Sequence, residues 1–392
     1  MPKIYLKPRK DEAVRRFHPW VFSGAILRME GQPADGDIVE VLDSHGGFLA
    51  LGHFSQGNSI AVRLFSFEKT DTGADFWEKR LLSAWSYRRS IGLIGNPGTS
   101  CFRLIHAEGD GLPGLIVDVY GGTAVIQCHS VGMHRERQLI AEALVKVGSG
   151  VVEAVFDKSQ DTLPPIYAKT SNNGYLIGKS AAQEVEENGH RFFVDWENGQ
   201  KTGFFLDQRD NRQLLGRYVA GKTVLNNFCY SGGFSVYALA AGAKLVHSVD
   251  VSQKAVDWTK RNLEINGFDA NYHLCLTADV QKYLQDCPVY EVVVVDPPAF
   301  AKNISKRHNA VQGYKRLNVA AIQKTAPGGI LFTFSCSQVV DRELFYNTIV
   351  AAAIEAGRQV RVMHHLSQPP DHPVSLFHPE GSYLKGLVLY VA

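Results

Sequence analysis

Apolar and polar positions follow two different rhythms along this chain, and the change between them falls near Gly189. Up to about residue 70 the apolar runs are short and alternating, as in Ile38-Val39-Glu40-Val41-Leu42 and Ile60-Ala61-Val62-Arg63-Leu64-Phe65. Turn-forming clusters, Asp35-Gly36-Asp37 and Ser44-His45-Gly46-Gly47, separate them. Alternation bounded by such turns predicts antiparallel strands, here a small β-barrel over residues 1–70. A helical stretch over Asp75–Ile91 opens a second, β-rich segment, residues 75–180, with hairpin-like strands at Gly114–Asp118 and Ala124–Gln127.

Beyond Gly189 apolar strands alternate with amphipathic helices, which predicts a parallel sheet covered on both faces and makes residues 188–392 an α/β domain. Strands are expected at Thr223–Asn227, Leu245–Asp250, Tyr272–Leu276, Val292–Asp296, Gly329–Ser335, Gln359–His364 and Gly386–Val391. Helices fall between them, for example Ser252–Asn266 and Arg342–Ala356.

With 392 residues, 45% of them hydrophobic, the chain has room for two or three domains. No apolar leader follows Met1-Pro2-Lys3-Ile4, and no run approaches the ~18 apolar residues of a membrane span, so a cytoplasmic protein without a membrane partner is expected. Cys101, Cys128, Cys229, Cys275, Cys287 and Cys336 form no CxxC pair and have no nearby His at ligand spacing. Free thiols and no metal are the expectation. The net charge of +2 conceals an uneven distribution. Residues 1–28 carry Lys3, Lys7, Arg9, Lys10, Arg15, Arg16 and Arg28 against Asp11 and Glu12, and between Pro297 and Val340 there are Lys302, Lys306, Arg307, Lys315, Arg316 and Lys324 without an acid. Either stretch reads equally as a solvated face or as a phosphate-binding surface; Lys7, Arg9, Arg15, Arg16, Lys302, Lys306, Arg307, Lys315 and Arg316 are the candidate phosphate contacts, as of a nucleic acid.

Ligands of an open α/β sheet bind beyond the C-terminal ends of its strands, and the unusual residues of this domain fall there. The first strand runs into Phe228-Cys229-Tyr230-Ser231-Gly232-Gly233-Phe234, the second ends in Asp250, and Asp279 follows the third. The fourth ends in Asp296-Pro297-Pro298 and the fifth in Ser335-Cys336-Ser337. A Gly-Gly pair alone is only a tight turn, but an acid about 20 residues on is spaced to accept hydrogen bonds from the ribose hydroxyls of an adenosine cofactor. Nicotinamide enzymes share that spacing, yet their pyrophosphate needs a third glycine where Phe234 stands. S-adenosylmethionine, which has no phosphate, fits better, and Asp279 then suits the adenine amine. Nitrogen methyltransferases often carry an aromatic residue directly after Pro-Pro, whereas Ala299 precedes Phe300 here. That leaves room for carbon methylation, in which a Cys336 thiolate adds to C6 of cytosine and makes C5 nucleophilic, with Cys229 a weaker candidate.

On these residues the sequence closely resembles, over nearly its whole length, the bacterial ribosomal RNA large subunit methyltransferase I family of 23S rRNA cytosine-C5 methyltransferases. His18-Pro19-Trp20-Val21-Phe22-Ser23-Gly24-Ala25-Ile26 is similar to the start of the family's RNA-binding PUA barrel, and Glu108-Gly109-Asp110-Gly111-Leu112-Pro113-Gly114-Leu115 to its middle-domain signature. Asp371-His372-Pro373 and Tyr383-Leu384-Lys385-Gly386 resemble its C-terminal motifs. Gly199–Arg209 looks like the segment beside the cofactor, which implies roles for Gln208 and Arg209. The resemblance implies a Rossmann-like class I methyltransferase with a seven-stranded sheet and S-adenosylmethionine as cofactor. Phe228, Ser231, Gly232, Gly233, Asp250, Asp279, Asp296 and Pro297 would then line the cofactor and target pocket, with Cys336 and Asp296 catalytic. It further implies 23S rRNA or a large-subunit assembly intermediate as partner, a homodimer being compatible with it. One departure is Cys229, where a serine is more typical. Two other readings remain open at this stage, a guanine-N7 type RNA methyltransferase on the same core and a non-catalytic RNA-binding assembly factor.

Overall fold

The computed structural model describes residues 1–180, 183–301 and 303–392. They form two compact units: Met1–Asn188 with Val194–Leu206 and Pro370–Gly381, and Gly189–Phe193 with Asp207–Pro369 and Ser382–Ala392.

The first unit begins with β1 (Lys3–Leu6), α1 (Glu12–Arg15), β2 (Trp20–Phe22), β3 (Ile26–Glu30), β4 (Ile38–Leu42), β5 (Phe48–Phe54) and β6 (Ile60–Ser66), paired in the order β2-β6-β5-β4-β1-β3. Alternate residues point inward, so that Ile4, Leu6, Val39, Val41, Val62 and Leu64 make one core. Gly52 lets β6 approach, because a Cβ there would lie 2.5 Å from the Arg63 carbonyl oxygen. Next come α2 (Ala74–Ser90), β7 (Cys101–His106), β8 (Leu115–Tyr120), β9 (Thr123–Cys128), α3 (Val131–Arg135), α4 (Arg137–Val147), β10 (Ala154–Asp157), α5 (Pro165–Ala168), β11 (Gly174–Ile177) and β12 (Glu184–Glu187). Strands β7 to β11 form a second sheet in the order β11-β10-β9-β8-β7, with α2 and α4 packed together in the same core.

Two of the long motifs turn out to hold each other. The fully buried Arg88 guanidinium pairs with Asp110 (2.8 Å from Nη2) and donates to the Asp371 carbonyl, while the Asp371 carboxylate accepts the Arg103 N–H at 3.0 Å. Gly109 passes so close to Pro373 that a Cβ would sit 1.9 Å from its carbonyl oxygen. Charges buried this deeply persist only when paired, which explains why these residue types are needed here.

The second unit contains β13 (His190–Phe193), α6 (Arg209–Leu215), β14 (Thr223–Asn227), α7 (Gly233–Ala240), β15 (Leu245–Asp250), α8 (Gln253–Ile265), β16 (His273–Thr277), α9 (Val280–Asp286), β17 (Tyr290–Val295), α10 (Arg307–Gln323), β18 (Thr325–Ser335), α11 (Arg342–Glu355), β19 (Val360–Leu366) and β20 (Lys385–Val391). Its seven-stranded sheet has the order β16-β15-β14-β17-β18-β20-β19. Strands β14 to β18 are parallel, and β20 runs antiparallel between β18 and β19. Val292, Val293, Val294 and Val295 are fully buried, as a central strand covered on both faces requires. The strand expected from Tyr272 starts at His273, because Asp269 caps a short 3-10 turn over Ala270–Tyr272. The strand expected from Gly329 already begins at Thr325, which pairs with Tyr290 before an irregularity in register. The last strand starts one residue early, at Lys385. Among the described residues no helix is long and apolar enough to cross a membrane.

Candidate active site

Chain order reverses between β14 and β17, the switch point at which an open sheet splits its loops apart and leaves a crevice. The loop leaving β14 is held in an unfavourable conformation. Phe228 has φ 57°, Tyr230 φ 46° and Gly232 φ 78°. Non-glycine residues at positive φ cost about 1–3 kcal/mol each and persist only where neighbours enforce them. Here α8 enforces them: the Thr259 hydroxyl donates to the Tyr230 carbonyl (2.8 Å) and the Asn262 amide to that of Ser231 (2.8 Å). A Cβ at Gly232 would lie 2.7 Å from Thr259 Cγ2, and one at Gly233 would lie 3.0 Å from Arg212 Cδ on α6. Phe234, where a dinucleotide site would need glycine, is buried against Phe334.

Asp250 closes the other side of this loop. Its Oδ2 accepts the Tyr230 N–H at 3.0 Å and its Oδ1 the Ser252 N–H at 2.9 Å, so each oxygen retains acceptor capacity. The Ser231 hydroxyl is buried without a partner among the described residues. An acceptor pair plus an unpaired hydroxyl, with no phosphate cradle, fits a nucleoside with free ribose hydroxyls. Asp279 is exposed and caps α9, accepting the Lys282 N–H at 3.0 Å. Gln208 and Arg209 are buried at the start of α6, and the Gln208 Oε1 is taken by the Asn211 amide at 2.6 Å. Beside them Asp207 accepts the Tyr383 hydroxyl at 2.6 Å, which places the Tyr383-Leu384-Lys385-Gly386 motif within this unit's framework.

The ends of β17 and β18 carry the remaining candidates. Val295 and Thr333 are register partners, so Asp296 and the residues after Phe334 emerge at the same edge. Asp296 is partly buried, Pro297 buried and Pro298 exposed. Phe300 turns inward, its ring 4.6 Å from that of the fully buried Tyr314, and is therefore occupied by packing. The Ser337 hydroxyl donates to the Ala301 carbonyl at 2.7 Å and ties the two loops together. Cys336 is partly exposed between them. The Tyr314 hydroxyl feels both Cys336 and Asp296, and burial above all pushes its pKa up to about 12. Cys229, by contrast, is buried, with its Sγ 3.5 Å from the Thr259 hydroxyl, and burial drives its thiol well above the ordinary range.

Of the basic candidates, several are already committed. Arg15 bridges Asp11 and Asp43 at 2.7 Å each, Lys7 donates to the Gly24 carbonyl at 2.9 Å, and Lys315 pairs with Glu355 of α11 at 2.6 Å. Arg9, Arg16, Lys306, Arg307 and Arg316 are exposed and make no side-chain bond among the described residues, whereas Lys302 lies outside them. The basic segment between Pro297 and Val340 thus presents Lys306 and Arg307 to solvent; among the described residues, Lys385 is a cation within electrostatic reach of the Cys336 thiol. Sequence spacing gave no sign of it, nor of His18, His378 and Glu380, whose side-chain donors converge within 4.8 Å of one another in the first unit.

The model of the S-adenosylmethionine-dependent methyltransferase family matches residues 103–387, and that of a PUA-like domain matches residues 4–67. The chain is 41% identical to the ribosomal RNA large subunit methyltransferase I of Aeromonas hydrophila and 38% to that of Klebsiella pneumoniae, over 98% and 100% of this chain and 98% of each relative. A Streptococcus mutans chain of the SAM-dependent methyltransferase type superposes with a TM-score of 0.85 at 22% identity over the full length of both. A second solved chain with the same score carries SAH, the demethylated cofactor. The chain therefore belongs to the S-adenosylmethionine-dependent methyltransferases and, among them, to the ribosomal RNA large subunit methyltransferase I family.

Proposed function

We propose that this protein methylates C5 of a cytosine in 23S rRNA, presented as free RNA or within a large-subunit assembly intermediate, with Cys336 as the covalent nucleophile. The observation that carries this reading is the contrast between two thiols at the strand ends, Cys336 partly exposed beside the Asp296 loop and Cys229 buried. The inward packing of Phe300 further favours it over nitrogen methylation, which commonly stacks the base on an aromatic residue after Pro-Pro. The named function of the relatives supplies the RNA.

In this reading Asp250 accepts the ribose hydroxyls, Ser231 meets the amino-acid tail, Asp279 meets the adenine amine, and Gln208, Arg209, Phe228, Gly232, Gly233 and Pro297 shape the walls. When bound, S-adenosylmethionine supplies an electrophilic methyl group. The work of the chain is to make the target carbon a nucleophile. The Cys336 thiolate forms a bond to C6, the C5–C6 π electrons shift towards C5, and Asp296 accepts a hydrogen bond from the cytosine amino group to hold the ring. After C5 has gained its methyl group, a base takes the C5 proton, the C–H electron pair rebuilds the double bond, and the thiolate leaves. The base must be unpaired or flipped out for the thiol to reach it. Of the described candidate cations, Lys306, Arg307, Arg316, Arg9 and Arg16 are free to meet phosphates.

RNA carrying 5-fluorocytosine at the target tests this, because fluorine cannot leave as a proton does and the thioether stays on the enzyme. Cys336→Ser should abolish both methylation and adduct while cofactor binding persists. An adduct retained in Cys336→Ser and lost in Cys229→Ser would move the nucleophile; methylation insensitive to both would refute C5 chemistry.

A further inference from the structure

Lys385 belongs to a motif that the proposed chemistry leaves unused. It opens β20, whose antiparallel pairing places it opposite Ser335, the last residue of β18 before Cys336. Its side chain is buried. The Nζ donates to the carbonyl oxygens of Ser337 and Val340, both at 2.6 Å, and the Val340 N–H donates in turn to Ser337 at 3.3 Å. Two of the three ammonium protons thus strap down the turn that follows Cys336. A buried ammonium is costly, and an aliphatic side chain would serve mere packing better.

Among the described residues the charged groups that act on Lys385 are Cys336, then Arg342 and Asp341. Asp341, next in the loop, caps α11 by accepting the Leu344 N–H at 2.8 Å. Arg342 is spent on the Leu366 and Leu384 carbonyls at 3.0 and 3.3 Å. From α10, the buried Tyr314 hydroxyl feels the charges of Cys336 and Asp296. We infer that Lys385 is the positioning residue of the nucleophile: its ammonium fixes the Cys336 loop and provides the positive charge against which the thiolate forms. The inference rests on the reading of Cys336 as nucleophile. Burial brings the Lys385 pKa down to about 8, with Cys336 pulling it the other way, so the ammonium is still charged at neutral pH. The thiol proton passes to solvent, and no oxidant or reductant takes part.

The test is the pH profile of Cys336 alkylation by iodoacetamide in the full-length protein, followed on the Cys336 peptide by mass spectrometry with the Cys229 peptide as a slow internal control. In the wild type the midpoint should fall below the ordinary thiol value of about 8.5. Lys385→Met should raise it by about one pH unit, slowing alkylation at pH 7 about tenfold, while cofactor affinity is kept. A Lys385→Met profile that overlays the wild type overturns the inference. Should Lys385→Met fail to fold, the wild-type profile decides alone, since a midpoint at or above about 8.5 is equally fatal. The 5-fluorocytosine adduct separates the two ideas: its absence from the wild type removes the nucleophile, whereas a normal adduct with an unshifted Lys385→Met profile removes only the role of Lys385.

Discussion

Replacing Asp250 with asparagine changes one atom and one charge in the centre of the proposed cofactor site. The aspartate accepts two backbone N–H groups, from Tyr230 at 3.0 Å and Ser252 at 2.9 Å, one on each oxygen. An asparagine has one acceptor oxygen, so one of these N–H groups must face an NH₂ instead. The Tyr230 side of the loop is strained, at φ 46°, and its other holds include the Thr259 hydroxyl on its carbonyl and the Trp258 ring against its own. The oxygen that survives must also serve the ribose without its charge. Losing one charge-assisted hydrogen bond of about 1.5–3 kcal/mol corresponds to about 10- to 150-fold weaker binding of S-adenosylmethionine. Isothermal titration calorimetry with S-adenosylmethionine and with S-adenosylhomocysteine measures this directly, and a melting curve checks that the fold survives. Affinity indistinguishable from the wild type would refute the assignment of Asp250 to the cofactor.

Affinity for RNA should fall with salt by about 0.7 in log affinity per log salt for each phosphate contacted on a single strand. Lys306→Glu with Arg307→Glu should flatten that slope in filter binding, while Lys315→Ala, already paired with Glu355, should leave it unchanged; a salt-independent affinity would sink the phosphate-contact reading. Buried His53 is held neutral, its pKa lowered to about 3 by burial first and by Arg135 and Arg63 after it. Between pH 6.5 and 3 the unfolded chain therefore takes up a proton that the native chain refuses, and stability is lost as pH falls, by about 5 kcal/mol over the window from this residue. His53→Leu should remove about one proton from the pH dependence of urea unfolding in that range. An unchanged dependence would show that His53 titrates normally.

Much of the second unit was legible because its signals are local. A central parallel strand is buried on both faces and reads as an unbroken apolar run, as in Val292–Val295. A helix start shows as Ser252 or Asp341, whose side chains do cap α8 and α11. Glycines at positive φ mark where a loop turns, as Gly232 does at the start of α7. The strand ends that bring Asp250, Asp296 and Cys336 to one edge follow from the order of these elements, since parallel strands all finish on the same side.

Pairings between distant positions had no such trace. Lys315 and Glu355 read as a free cation and a free acid until α10 and α11 lie side by side. Lys385 looks like a solvent lysine at the edge of Gly386–Val391, and only the antiparallel insertion of β20 beside β18 carries it under Cys336. Likewise Asp110 and Asp371 look like two loop acids until both meet Arg88 and Arg103. The physical reason is the same throughout. Periodicity and capping are properties of neighbouring residues, so the sequence by itself determined which segments become strands and helices and which residue types stand at their ends. Burial, which sets apart the thiols of Cys229 and Cys336 and decides which charges are spent in the interior, depends on what the rest of the chain lays over each residue, and only the tertiary structure decided that.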